Sequence, residues 1–334
     1  MKAAILGTGY VAAELARILC RHPGLELVEI QGRSGVGQSL QTVYPNLDLS
    51  LQIKELDVGV GRRVDLVFTA LPHGTSMKYV PAILEGGAKV VDMSADFRLN
   101  PAVFEKVYGV KHECPELRGV YGLTELHRQE IKKARLVANP GCYPTPVILA
   151  LAPLVSEGIV DLEHIVITAL SGTSGAGHQP QERTHHPICG SNLQVYSATT
   201  HRHVPEINQE LGRLAGREVE VHFVPHLVPI VRGILATASI FLKEERGKEE
   251  LLGLYRKFYR GEKFVRIREG LPQVNYVTGS NFCDIGLETL GRWVVVVSVV
   301  DNLVKGAAGQ AIQNANLMLG LPEEQGLDLV PLRP

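Results

Sequence analysis

The chain has 334 residues, of which 45% are hydrophobic and 21% are charged, and these proportions exclude a disordered, collagenous or coiled-coil chain. The length favours two domains of roughly 150 residues each. The 34 basic and 35 acidic residues leave a formal charge of -1, so no positive field is available for nucleic acid or an anionic membrane. We therefore expect neither as a partner.

The first 140 residues alternate short β-branched runs with helical patterns, which is typical of a parallel sheet built from βαβ units. A helix is predicted over residues 11–21, where the apolar residues share one face. These patterns predict an α/β, Rossmann-like dinucleotide-binding domain with a parallel sheet. Its predicted strands are Lys2–Leu6, Glu26–Gln31, Leu66–Thr69, Lys89–Asp92 and Leu136–Ala138.

After residue 140 the pattern changes to longer β-rich stretches, predicted over residues 165–170, 218–223, 233–242 and Trp293–Val300. We interpret this part as a second, α+β domain with catalytic and oligomerisation roles. A helical pattern over residues 307–319 is expected to return to the first domain. The predicted domains are therefore residues 1–144 with 304–334, and residues 145–303.

The five cysteines, at positions 20, 114, 142, 189 and 283, form no CxxC pair and are odd in number. This pattern argues against a disulfide framework and a structural zinc site, and it favours a reducing cytoplasm. The apolar run before Gly7 is only about five residues long, too short for a signal-peptide core or a membrane span. A cytoplasmic protein is therefore expected.

The loop between the first predicted strand and helix has the pattern of a dinucleotide site, with Gly7, Thr8, Gly9, Tyr10 and Val11 in sequence. Gly7 permits a tight turn, and Gly9 lets a pyrophosphate approach the backbone at the helix N-terminus. The alternative is a tight strand–helix turn in a protein that binds no dinucleotide.

The end of the second predicted strand bears on the choice between NAD and NADP. An NAD-binding protein usually places an acid there for the ribose, whereas this chain continues from Gln31 to Arg33 and Ser34. The missing acid and the nearby base favour NADP, with Arg33 at the 2′-phosphate. The alternative is an arginine that is simply solvated in a surface loop.

Cys142 lies in the segment NPGCYPT, residues 139–145, just before the helical pattern of residues 147–154. A helix N-terminus lowers a thiol pKa, and its N–H groups can stabilise an oxyanion on a carbonyl bonded to the sulfur. We therefore predict that Cys142 is a nucleophile. The other four cysteines fit the usual role of small buried hydrophobic residues better.

A thiol nucleophile needs a proton partner, and the densest histidine cluster is HRHVPE, residues 201–206. In an extended segment His201 and His203 would share a face, and Glu206 would orient an imidazole or contact substrate. Two alternatives remain: a metal site, for which the spacing gives no third ligand, and plain surface polarity. We predict no metal.

The glycine-rich stretch SGTSGAG, residues 171–177, follows a predicted strand and exposes backbone amides. It is a candidate to hold phosphate or nicotinamide, and its alternative is a flexible turn. The candidate cofactor contacts in it are Ser171, Gly172, Ser174, Gly175 and Ala176.

Taken over nearly the whole chain, the sequence resembles the N-acetyl-gamma-glutamyl-phosphate reductase family, within the aspartate-semialdehyde dehydrogenase-like superfamily. The resemblance rests on ordered blocks: TALPHG (69–74), SADFR (94–98), YGLTEL (121–126), GCYPT (141–145), SGTSGAG (171–177), HRHVPE (201–206), PHL (225–227), RGIL (232–235) and DNLVKG (301–306).

The resemblance implies NADPH-dependent reductive dephosphorylation of an acyl phosphate in arginine biosynthesis, through a thioester on Cys142. It implies that His203 is the acid/base catalyst, although His201 stands two residues away and the choice between them stays open. Glu206 would orient or bind the substrate. The resemblance further implies cofactor contacts at Leu71, Pro72 and Asn302, substrate contacts at Asn139, Arg202 and Arg232, and a dimer or tetramer.

Two departures from the family pattern bear on these expectations. The first glycine loop is one residue shorter than the family's usual Gly-x-Ser/Thr-Gly-Tyr arrangement, because only Thr8 separates Gly7 from Gly9. His178 also replaces the arginine that usually follows the glycine-rich stretch, so an anion contact there is expected to be weaker or pH-dependent.

Competing hypotheses remain. The related lysine-pathway reductase acts on a longer aminoadipate derivative, and Tyr143-Pro144 favours the arginine enzyme over it. Aspartate-semialdehyde dehydrogenase is a more distant resemblance. From other classes, the chain could be a thiol hydrolase that uses Cys142 and His203, or a cofactor-sensing protein without catalysis.

Overall fold

The computed structural model describes residues 1–332, which form two compact units. The first unit comprises Met1–Pro140 and Ala307–Asp328, and the second comprises Gly141–Gly306 and residues 329–332. The domain boundaries predicted from the sequence lie after residues 144 and 303, whereas the units divide after residues 140 and 306. Residues 333–334, which were assigned to the first domain, lie outside the described residues.

Each unit is built on one seven-stranded sheet. The strands are β1 (Lys2–Leu6), β2 (Glu26–Gln31), β3 (Ile53–Lys54), β4 (Leu66–Thr69), β5 (Lys89–Asp92), β6 (Val120–Tyr121), β7 (Leu136–Ala138), β8 (Val160–Ser171), β9 (Gln194–Val195), β10 (His222–Leu227), β11 (Ile234–Leu242), β12 (Val265–Ile267), β13 (Cys283–Leu290) and β14 (Trp293–Val300).

Helices cover or connect the strands in both units. They are α1 (Tyr10–Leu19), α2 (Leu40–Val43), α3 (Val80–Glu85), α4 (Pro101–Tyr108), α5 (Thr124–Lys133), α6 (Pro144–Ser156), α7 (His186–Cys189), α8 (Val204–Ala215), α9 (Lys248–Phe258) and α10 (Gly309–Met318). Within residues 1–332 none of the helices is both long and apolar enough to cross a membrane.

The sheet of the first unit is parallel throughout, in the order β3-β2-β1-β4-β5-β7-β6. Its central strands are apolar on both faces because helices cover both sides, and Ala3 to Leu6 of β1 are wholly buried. The chain leaves β1 toward β2 on one side and returns to β4 on the other. Ligands bind parallel sheets at such a switch point, and the predicted Rossmann-like fold is confirmed.

The sheet of the second unit is mixed, in the order β12-β13-β14-β11-β8-β10-β9. Strands β8, β11, β14 and β13 are antiparallel neighbours, whereas β10 runs parallel to β8. Helix α6 packs against β8, β11 and β14, and its residues from Pro144 to Val155 are all buried. A helix that is apolar on every side needs such cover, and the contacts with the sheet help to bury α6 along its length.

Two predicted elements differ from the structure. The strand predicted over residues 218–223 was wrong, because the observed strand β10 covers His222–Leu227 and includes Pro225. Proline has no N–H to donate to a neighbouring strand. Because β9 pairs only with His226 and Leu227, Pro225 interrupts none of the residue pairs between β9 and β10. The helix predicted over 307–319 is α10, preceded by a π-helical turn at Val304–Ala308.

Candidate active site

The loop between β1 and α1 requires glycine at position 7. Gly7 has a φ of +131°, and a Cβ there would lie 2.3 Å from the carbonyl oxygen of Ala70. The loop after β1 therefore passes against the loop after β4, and only a residue without a side chain fits between them. The Gly7 N–H donates to the carbonyl of Gln31 at 2.7 Å, which ties the end of β1 to the end of β2.

The rest of this short loop is braced by its neighbours. The hydroxyl oxygens of Thr8 and Ser34 lie 3.0 Å apart, and the Tyr44 hydroxyl donates to the Thr8 carbonyl at 2.8 Å. Gly9 is the N-cap of α1 and has no side chain to bond the amides of the first turn. The turn therefore fits the phosphate of a dinucleotide, which needs close backbone approach and helix N–H groups.

The end of β2 presents no free carboxylate. Gln31 is wholly buried, donates to Glu29 at 2.7 Å and accepts from the Asp57 N–H at 2.8 Å. The Arg63 guanidinium bonds Glu29 in turn, so no acid reaches a ribose from this strand. Arg33 and Ser34, which follow β2, are exposed.

The remaining predicted cofactor residues of the first unit lie beside the same loop. Tyr10 and Val11 open α1, with Tyr10 exposed and Val11 half-buried. Leu71 is buried and Pro72 is exposed, and both follow β4, the neighbour of β1 in the sheet. These placements put all four residues at the carboxyl ends of two adjacent strands.

In the second unit, Cys142 is half-buried and stands two residues before the first residue of α6. The backbone of Gly306 packs against it, since a Cβ at position 306 would lie 3.2 Å from the Cys142 Cβ. The Gly141 N–H donates to Glu206 Oε1 at 2.7 Å. A buried carboxylate on α8 therefore holds the turn that presents the sulfur at a helix N-terminus.

The two histidines do not lie in an extended segment as predicted. Residues 201–203 form a turn, and α8 begins directly after His203, its N-cap. Pro205 and Glu206 favour this result, because proline suits a first helical turn and an acid there complements the helix dipole. The turn still brings both imidazoles together, with ring centroids 4.9 Å apart.

The imidazoles differ in environment. The ring of Tyr143 packs edge-on against His201 and His203 at centroid distances of 5.4 and 6.0 Å. Burial lowers the pKa of His201 to about 4, and the positive charges of Arg202 and Arg183 act in the same direction. His201 is therefore uncharged at neutral pH, and its Nδ1 accepts the His203 backbone N–H at 3.2 Å.

The glycine-rich stretch follows β8 and contains a 3-10 turn, Thr173–Ala176. Gly172 is required because a Cβ there would lie 2.6 Å from the Val231 carbonyl oxygen. The buried Asn302 accepts from the Gly233 N–H at 2.7 Å and donates to the Ser174 hydroxyl at 3.0 Å. Asn302 therefore fixes the shape of this turn through its side-chain amide.

A cavity of about 530 Å³ lies among these elements of the second unit. It brings together Cys142, both histidines, Arg202 and most of the glycine-rich turn. Its lining also contains residues that the sequence did not single out as site residues. The full lining is Cys142, Tyr143, Ser171, Gly172, Gly175, Ala176, Gln181, Arg183, Tyr196, Ser197, Thr200, His201, Arg202, His203 and Leu227.

Several predicted site residues do not line this cavity. Glu206 instead accepts from the N–H of Gly141, the residue before Cys142, and Asn302 donates to Ser174 within the glycine-rich stretch. Arg232 instead approaches the buried Asp301, with Nη1 3.5 Å from Oδ2. Asn139 belongs to the first unit, where it donates to the Ala307 carbonyl and is wholly buried.

No group of three or more His, Cys, Asp or Glu side chains among residues 1–332 is placed to hold a metal ion. The cavity contains two arginines and no acidic residue. Its chemistry therefore suits an anionic organic ligand beside a thiol and an imidazole.

Two family profiles match the two parts of the chain. The profile described as "Semialdehyde dehydrogenase, NAD binding domain" matches residues 2–134. The profile described as "Semialdehyde dehydrogenase, dimerisation domain" matches residues 142–302, which contain the cavity. Together the two matches leave only short stretches of the chain uncovered.

Curated relatives are similar over nearly the full length. The N-acetyl-gamma-glutamyl-phosphate reductase of Methanopyrus kandleri is 50% identical, with 96% of each chain covered. The reductase of the same name from Desulforudis audaxviator is 49% identical, with 100% of each chain covered.

Solved structures show the same fold at low sequence identity. Aspartate semialdehyde dehydrogenase II from Vibrio cholerae has a TM-score of 0.72 at 18% identity, covering 96% of this chain and 98% of that one. The Candida albicans enzyme, solved with NADP, has a TM-score of 0.68 at 16% identity, covering 95% and 98%.

Proposed function

Because this chain belongs to the N-acetyl-gamma-glutamyl-phosphate reductase family of semialdehyde dehydrogenases, we propose that its cavity reduces an acyl phosphate through a thioester on Cys142. The chain is an oxidoreductase of amino-acid biosynthesis, and its substrate is N-acetyl-gamma-glutamyl phosphate. The observation that supports the thioester route is the position of Cys142, at a helix N-terminus and in one cavity with two imidazoles.

The reaction begins at the sulfur. The Cys142 thiolate attacks the acyl carbon, the carbon–oxygen bond to the phosphate breaks, and inorganic phosphate leaves with the electron pair. Bound NADPH would supply the hydride that reduces the thioester carbon. The resulting thiohemiacetal collapses, so that the carbon–sulfur bond breaks, the semialdehyde leaves and the thiolate returns.

His203 is the proton-transfer residue in this proposal. It protonates the oxygen of the thiohemiacetal as hydride arrives and removes that proton as the aldehyde forms. His201 suits this role less well, because burial keeps its pKa near 4 and its Nδ1 already accepts the His203 backbone N–H. We assign His201 to positioning the turn that carries His203.

Residues outside the cavity lining position the segments that carry the reacting groups. Glu206 Oε1 accepts a hydrogen bond from the Gly141 N–H at 2.7 Å and so positions the turn that contains Cys142. Asn302 holds Ser174 and the backbone of Gly233, which supports the proposal that the stretch Ser171 to Ala176 binds the nicotinamide. Arg202, which lines the cavity, would neutralise the departing phosphate.

We propose NADP rather than NAD as the cofactor, held by Gly7 to Val11 and with Arg33 at the 2′-phosphate. The support is the exposed Arg33 after β2 and a Gln31 that is buried and bonded within the protein. Leu71 and Pro72 would flank the cofactor at the end of β4. The remaining proposals are a homo-oligomer formed by the second unit, in line with its family description, and a cytoplasmic location.

Replacing Arg33 with alanine is expected to weaken the preference for NADP over NAD about tenfold or more, because a charge-assisted contact to the phosphate is lost. The measurement is KM for each nucleotide. Arg62→Ala, which removes another exposed arginine of the same unit, is the control and should leave the preference unchanged. An unchanged preference in Arg33→Ala contradicts the assigned role.

The reverse reaction provides the direct test of function. We expect phosphate-dependent reduction of NADP when N-acetyl-glutamate 5-semialdehyde is supplied. Turnover only with the longer aminoadipate semialdehyde would instead indicate the lysine-pathway reductase. The curated relatives, which are named N-acetyl-gamma-glutamyl-phosphate reductase, do not favour that function. Turnover of an acyl substrate with no cofactor would indicate a thiol hydrolase instead.

A further inference from the structure

Arg183 is a cavity residue that no motif of the sequence indicated. It lies in a short 3-10 turn, Glu182–Thr184, within the connection between the glycine-rich stretch and α8. Arg183 is exposed, like most of this connection, and it lines the same cavity as Cys142 and Arg202. The position of its guanidinium is therefore relevant to what the cavity binds.

Two contacts hold this guanidinium. Its Cζ lies 5.3 Å from the centroid of the Tyr196 ring, and its Nε–H donates to Gln181 Oε1 at 2.9 Å. Gln181 in turn donates from Nε2 to the Ala176 carbonyl at 3.2 Å. A guanidinium only donates and a carbonyl only accepts. The Gln181 amide can therefore bond both partners only with its oxygen toward Arg183 and its nitrogen toward Ala176.

Tyr196 is itself held in place by a chain of hydrogen bonds. Its hydroxyl donates to the Tyr143 hydroxyl at 3.0 Å, and Tyr143 donates to the His226 carbonyl at 3.3 Å. The ring that supports Arg183 is therefore attached to the residue next to Cys142. A cation held in this way loses little side-chain entropy when it binds a ligand.

The four N–H groups on the two Nη atoms of Arg183 bond no acceptor among residues 1–332, and Arg183 forms no ion pair there. None of the residues that line the cavity is acidic. A guanidinium that lines a cavity without an acidic residue is suited to bidentate binding of a carboxylate or a phosphate.

We infer that Arg183 binds the carboxylate of the substrate, while Arg202 faces the phosphate that leaves. This inference rests on the proposed function and deepens it, because N-acetyl-gamma-glutamyl phosphate carries one anionic group at each end. Arg202 stands between His201 and His203 in the chain and lines the cavity together with both of them. Arg183 belongs to the wall formed by Gln181 and Tyr196, and it serves the end that does not react.

The reverse reaction separates the two anions, because the semialdehyde and inorganic phosphate have independent KM values. In Arg183→Gln we expect KM for the semialdehyde to rise about 10- to 100-fold, the cost of one lost charge-assisted contact, with KM for phosphate and kcat nearly unchanged. Arg183→Lys keeps the charge without the planar fork, so its KM should be intermediate. Arg217→Gln, an exposed arginine on the same unit, is the matched control.

An unchanged KM for the semialdehyde, or a rise confined to phosphate, overturns the assignment. A calorimetric titration with N-acetyl-L-glutamate, which keeps the carboxylate but cannot react, separates this inference from the proposed function. The unsubstituted protein and Arg217→Gln should bind it, and Arg183→Gln should bind it at least about tenfold more weakly. Loss of binding in Arg183→Gln supports the inference even if reductase turnover is absent, whereas equal binding contradicts it.

Discussion

Replacing Cys142 with serine is expected to lower kcat of the phosphate-dependent reduction of NADP by at least about 10⁴-fold. A serine hydroxyl is almost never ionised at neutral pH, and it is a poorer nucleophile and leaving group than a thiolate at a helix N-terminus. KM for NADP should change little, because the dinucleotide loop is built separately from residues of the first unit.

The matched control for this experiment is Cys20→Ser, which changes an exposed cysteine near the end of α1. It should retain full activity. Alkylation adds a second measurement, since iodoacetamide should label Cys142 and the semialdehyde should protect it. Normal turnover of Cys142→Ser would refute the thioester route, whatever cofactor the protein binds.

Replacing His203 with asparagine is expected to lower kcat about 10²- to 10⁴-fold, the usual effect of losing a general acid/base. His201→Asn should cost less than about tenfold. An asparagine oxygen at position 201 can still accept the His203 backbone N–H, which His201 Nδ1 accepts at 3.2 Å. The ratio of the two effects therefore decides between the two imidazoles.

The pH dependence of activity gives a second readout of the same assignment. Burial holds the pKa of His201 near 4, below its ordinary value, so this residue stays neutral across pH 6 to 8. The shape of the kcat profile in that range should be the same with and without His201. A larger loss in His201→Asn than in His203→Asn would reverse the roles proposed for the two residues.

Parts of the site that depend on neighbours in the chain could be predicted from the sequence. The strand–loop–helix at Gly7 and the helix that begins after Cys142 each depend on contiguous residues, and both lie where the sequence pattern predicts them. All five strands predicted in the first 140 residues have the observed bounds. Strand periodicity and the position of glycine or proline specify such local features directly.

The sequence by itself therefore determined the glycine turn between β1 and α1, the position of Cys142 at a helix N-terminus and the alternation that makes the first sheet parallel. Only the tertiary structure decided that Arg183 lines the cavity and that Arg232 approaches Asp301 instead. It also decided that residues 201–203 form a turn rather than a strand. The physical reason is that these placements depend on partners far along the chain, such as the Tyr196 ring beneath Arg183, and no local spacing encodes such contacts.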